Sequence, residues 1–182
     1  MFDTFFGLPL HPFVVHATEV TVPLAALLVV LAAAWPRFRR WASFLPLGAS
    51  LVALVLVPIS TQSGERLESR VGENALIEVH SQLADGLLPW VAGLVVVAAA
   101  VLAWDLRQRR FARGVGSVPA GTSTSASRSP RWIAIALIAV AVVASAGTAV
   151  QAIRIGHSGA TAVWTEDMGS PAPSGDSDTD AD

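Results

Sequence analysis

Four stretches of this chain are long and apolar enough to cross a bilayer: residues 13–35, 41–59, 83–104 and 132–153. A helix needs about 20 apolar residues to cover the hydrocarbon core, and no other segment supplies them. Each stretch is rich in Leu, Val, Ala and Ile without alternating polar positions, which excludes barrel strands. Helices remain, because they satisfy their backbone groups within one segment. Only 14% of residues are charged and 53% are hydrophobic, against about 25% charged in a soluble domain. The expected fold is all-α, an integral membrane four-helix antiparallel bundle over residues 1–164.

The connections differ in character. Residues 36–40 read as a tight turn that makes the first two spans a hairpin. Residues 60–82 hold Glu65, Glu68, Glu73 and Glu78 among apolar residues and read as one or two short helices leading into the third span. Residues 114–130 are rich in Gly, Ser, Thr and Ala, the composition of a flexible linker. Residues 165–182 carry six acids, no base and little apolar content, so a disordered tail is expected.

Orientation is read from arginine, because positively charged flanks resist translocation. Arg37, Arg39, Arg40, Arg107, Arg109, Arg110, Arg113, Arg128 and Arg131 fall on one side, and only Arg66, Arg70 and Arg154 on the other. Asp105 is the one acid on the arginine-rich side. Trp35, Trp41, Trp104 and Trp132 lie at that same end of their spans, where an indole sits at headgroup level. The arginine-rich side is expected to be cytoplasmic and both termini non-cytoplasmic. No basic residue precedes the first apolar stretch, so it does not read as a cleavable signal peptide.

Candidate chemistry is confined to the other side. Cysteine is absent, which excludes disulfides, thiolate metal sites and covalently attached haem. No nucleophile elbow or P-loop is present, and neither a catalytic constellation nor a nucleic-acid site is evident. Ionisable groups in spans cost roughly 2.5–3.5 kcal/mol at the helix centre and mark sites by default. All four histidines, His11, His16, His80 and His157, collect at the non-cytoplasmic ends, with Glu19 one turn below His16 and Asp85 beyond His80. Three readings follow: interfacial histidines that bind nothing, axial ligation of a b-type haem by imidazoles from two helices, or a His/carboxylate site for zinc or copper. In the haem reading His16 and His80, nearest the apolar spans and each followed by a small residue, are the candidate axial ligands. His11, His157 and Glu19 are then the surrounding shell, and a redox partner is implied. A cofactor-free protein acting through a membrane or protein partner is the alternative. A second haem is excluded, since the arginine-rich half has no histidine.

The two halves share small marks. Val15-His16-Ala17 matches Val79-His80-Ser81, and Gln62-Ser63-Gly64 matches His157-Ser158-Gly159. These marks suggest an internal repeat or a coincidence of common residues.

The run Gly7-Leu8-Pro9-Leu10-His11-Pro12-Phe13-Val14-Val15-His16-Ala17, followed by Val22-Pro23-Leu24-Ala25-Ala26-Leu27, resembles the opening of the DUF2231 family of uncharacterised bacterial membrane proteins. Ser63-Gly64-Glu65-Arg66-Leu67-Glu68 with Ile77-Glu78-Val79-His80, and Gly156-His157-Ser158-Gly159-Ala160 with Val163-Trp164, resemble its loop and its ending. The resemblance covers about residues 7–164. It implies a four-span domain in a bacterial inner membrane and a looser kinship with two-haem b-type cytochromes.

A topology reporter fused after Asp182 is expected to be active only outside the cytoplasm, and one inserted within residues 114–130 only inside it. The opposite pattern would invert the assignment.

Overall fold

The computed structural model describes residues 4–5, 8–71, 75–115 and 131–167. The linker at 116–130 and the tail at 168–182 lie outside them. The described chain is almost entirely helical: α1 (Leu10–Ala34), α2 (Pro36–Ala42), α3 (Leu45–Val71), α4 (Ala75–Asp85), α5 (Leu87–Val115) and α6 (Arg131–Asp167). A two-residue antiparallel ladder, Thr4 opposite Pro9 and Phe5 opposite Leu8, precedes α1. Four helical segments satisfy the requirements of a span, with mean hydropathy of 1.7 to 2.5. Large apolar side chains such as Val20, Val52, Val96 and Val143 stand on the outside of the molecule, where lipid solvates them.

Helix ends depart from the hydropathy boundaries. The turn after the first span is itself helical: Pro36 occupies the first turn of α2, where its missing N–H costs nothing, and Trp35, Phe38 and Trp41 stack along it. The third helix does not stop at residue 59 but runs on to Val71, and α6 reaches Asp167. At 1.5 Å per residue α6 is about 55 Å long, well beyond a hydrocarbon core of about 30 Å. Both α3 and α6 therefore project past the apolar layer at the end that carries the histidines.

The four long helices pack in a ring: α1 against α3 and α6, and α5 against the same two, with α1 and α5 in closer diagonal contact than α3 and α6. The core is made of Val22, Ala25, Ala26, Val29 and Ala32 on α1 and of Val91, Leu94, Val97, Ala98 and Val101 on α5. Gly147 on α6 lies beneath the Trp90 indole, and a Cβ there would overlap the ring.

The two halves bury residues at matching spacings, in a register that aligns His80 with His11 rather than with His16. His11 and His80 are 69 places apart, as are the buried pairs Thr18 and Leu87, Val22 and Val91, Ala25 and Leu94, Val29 and Ala98, and Ala32 and Val101. On the second helix of each half the offset is 95, relating buried Ser50 to Ser145 and Ala53 to Thr148, and Ser63-Gly64 to Ser158-Gly159. Each half is thus one hairpin, α1 with α3, and α4 and α5 together with α6.

The arginine end breaks this symmetry. Asp105, 3% exposed, has Arg109 Nε at 2.6 Å one turn along α5 and Arg39 Nε of α2 at 3.5 Å. The approach angles make these ion pairs rather than linear hydrogen bonds. Arg39 also donates to the carbonyls of Ala32 and Ala33 that end α1, and Arg109 donates to the Arg40 carbonyl. One carboxylate thereby fastens α2 to α5. Asp105→Ala would leave two guanidinium groups without their shared partner, and breaking such a buried pair costs about 3 kcal/mol. Unfolding in mixed micelles is expected to show a loss of that order for Asp105→Ala and none beyond error for Arg107→Ala, whose side chain is exposed.

Candidate functional site

The two serines of the repeated Ser-Gly pairs are the fixed points of the site. Among serines and threonines in apolar helices, the hydroxyl satisfies itself by donating back to a carbonyl one turn earlier. Ser63 Oγ donates to Ser60 O at 2.8 Å, and Ser158 Oγ to Ile155 O at 2.9 Å. A hydroxyl hydrogen so placed leaves the Oγ as an acceptor.

Each hydroxyl meets an imidazole. His11 Nδ1 lies 3.0 Å from Ser63 Oγ, and His80 Nδ1 lies 3.0 Å from Ser158 Oγ. With each hydroxyl turned to its own helix, the imidazole is the donor, through Nδ1–H; with the hydroxyl turned to the ring, Nδ1 accepts. Among the described residues neither Nε2 is hydrogen-bonded. Gly64 and Gly159, the residues after the serines, let the rings lie against their helices: a Cβ would stand 3.1 Å from His11 Cε1 and 3.0 Å from His80 Cε1.

The two units stand at the same end of the bundle, on helices α1 and α4 that scarcely pack against one another. The packed core stops at Thr18, Val57, Leu87 and Gln151. Beyond that level no described side chain is fully buried, and His11, Ser63, His80 and Ser158 are half-buried.

The other histidines are placed differently. His16 is exposed, with Nδ1 2.6 Å from the Pro12 carbonyl of its own helix, and His157 is exposed on α6. Glu19 is exposed beside Gly156 of α6, 3.8 Å from the position of a Cβ there. Asp85 is exposed at the end of α4. His11, read from the sequence as surrounding shell, is the ring that shares with His80 a half-buried place and a serine of another helix. His16 shares neither. Five residues separate His11 from His16, about 140° around a helix, whereas His11 and buried Thr18 are seven apart and nearly in line. That seven-residue spacing is the signal in the sequence that selects His11. Among the described residues no three His, Asp or Glu side chains converge as a metal-ion cluster. Gln151, 9% exposed, donates from Nε2 to the Leu83 carbonyl at 2.6 Å. No feature of the sequence singled it out.

Fold and site together define a multi-pass membrane protein of four helices with a paired histidine-serine motif at one end. The match to the family model described as predicted membrane protein (DUF2231) extends over residues 7–171, and the chain belongs to that family. No curated protein and no solved structure matches it.

Nitrogen-15 NMR of histidine-labelled protein is expected to show His11 and His80 as neutral rings protonated at Nδ1 at alkaline pH. Ser158→Ala should remove that preference from His80 and leave His11 unchanged, and Ser63→Ala should do the reverse.

Proposed function

We propose that the protein is a haem b binding, electron-transferring protein of the bacterial inner membrane, with His11 and His80 as the axial pair. The observation that carries this reading is the matched pair of contacts: two imidazoles from opposite halves each have Nδ1 3.0 Å from a serine hydroxyl, an arrangement in which an Nδ1–H tautomer would leave Nε2 to bind iron. A hydrogen bond from the distal ring nitrogen is the usual support of a metal-binding histidine, since it sets both orientation and basicity.

The residues fit the group on two counts. The donor set is two imidazoles, which is what a six-coordinate haem iron asks of its protein. The glycine beside each ring, Gly64 or Gly159, lets the imidazole lie close against the facing helix. A zinc or copper site would call for three or four converging ligands, a weaker fit to this pair. The haem would supply one-electron chemistry. The chain's own residues would hold its iron, orient the two rings and exclude lipid from one face. Placing this end on the non-cytoplasmic side follows from the arginine asymmetry, and a redox partner would then approach from there. Exposed His16, His157 and Glu19 belong to the surroundings of the site in this reading.

The test is the visible spectrum of protein purified from haem-replete cells. Sharp reduced α and β bands of a low-spin haem are expected, lost in His11→Ala and in His80→Ala and kept in His16→Ala. Ser63→Ala and Ser158→Ala should weaken haem retention by about 10- to 100-fold, the usual effect of removing such a support. Protein that takes up no haem under reconstitution would overturn the proposal, and loss of the bands in His16→Ala but not His11→Ala would overturn the ligand pair.

A further inference from the structure

The two halves differ at the site: the helix that carries His11 runs from Leu10 to Ala34, while its counterpart has a one-residue turn at Gly86 between α4, which carries His80 and ends at Asp85, and α5, which begins at Leu87. None of the described side chains of α4 is buried.

One carbonyl is satisfied differently in the two halves, because Leu87 has no hydroxyl where Thr18 has one. Val14 and Leu83 are equivalent by the offset of 69. The Val14 carbonyl receives the hydroxyl of Thr18 from its own helix at 2.8 Å. The Leu83 carbonyl, next to the turn, receives the amide of Gln151 from α6 at 2.6 Å. The residue equivalent to Gln151 in the first half is Leu56, which has no polar group to offer. Gln151 also sits against the hinge, since a Cβ on Gly86 would come within 2.8 Å of its Nε2. α4 packs along α6, and two side-chain contacts join them on the same side of Gly86, Gln151 with the Leu83 carbonyl and Ser158 with His80.

We infer that Gln151 is a positioning residue for His80, a latch that holds α4 closed about a hinge at Gly86 and so decides whether the second imidazole faces His11. His11 is the fixed half of the site and His80 the movable half. Opening α4 admits a bulky planar ligand from the end of the ring, and closing delivers the second nitrogen. This inference rests on the His11 and His80 pair for its purpose, but the movement is a property of the chain without any cofactor.

The natural chain has no cysteine, so a pair introduced at exposed Val79 on α4 and exposed Ala160 on α6 provides the only thiol-attached spin labels. Measured without haem, the distance between them is expected to be single and narrow in the otherwise unchanged protein. Gln151→Leu should add a longer population with no change in the melting temperature of the four spans. A distribution that stays single and narrow in a folded Gln151→Leu protein would overturn the latch. If that variant does not fold, hydrogen exchange of the unsubstituted protein decides: amides of α4 are expected to exchange at least tenfold faster than those at 11–20 of α1, and equal rates would overturn the hinge. Because both readouts are cofactor-free, they stand apart from the haem spectrum. Where haem does bind, a Gln151→Leu protein that is closed about one-tenth of the time should show about tenfold weaker apparent affinity with an unaltered low-spin spectrum, and unchanged affinity would count against the latch.

Discussion

Hydrocarbon offers no partner to a polar group, so each such group in this protein must find one within the chain. That requirement explains the placement of nearly every described hydroxyl in the spans. Thr18, Ser50 and Thr148 return their hydrogens to their own helices, and Ser145 sends its hydrogen across to the Ala26 carbonyl, joining α6 to α1. Ser63 and Ser158 follow the same rule, each with a carbonyl of its own helix in reach and an imidazole of another as its second partner.

Small side chains do the rest. Ala25, Ala26 and Ala32 on α1 and Ala98 on α5 lie in the core, and α1 and α5 approach across the diagonal while α3 and α6 stay farther apart. Without a hydrophobic drive between helices in lipid, close packing of small residues supplies the attraction. The fully buried core ends two turns short of His11 and His80.

Much of this was legible from residue order. The number and approximate position of the spans follow from hydropathy, because the bilayer tests length and polarity directly. Their far ends do not: Ser60, Gln62 and Glu65 lower the hydropathy of α3 without breaking its helix, since straight-chain and small polar residues are compatible with one. The paired Ser-Gly marks are visible in the sequence, but their meaning requires the register. Depth in the membrane favours His16, whereas the angle around the helix favours His11, and angle decides which ring meets a serine. Asp105 was visible as the lone acid among arginines, with Arg109 one helical turn on, yet its contact with Arg39 is a matter of tertiary structure. Gln151 carries no signal at all, because its role exists only where another helix is interrupted.

Asp105 also sets an order of events during synthesis. Arg39 leaves the ribosome 66 residues before the carboxylate that fastens it. At roughly 5–20 residues per second, the first hairpin is therefore present for some seconds before Asp105 can reach Arg39, whose guanidinium has in that interval only the Ala32 and Ala33 carbonyls of its own hairpin. Pairing with Asp105 arrives only once α5 has been made.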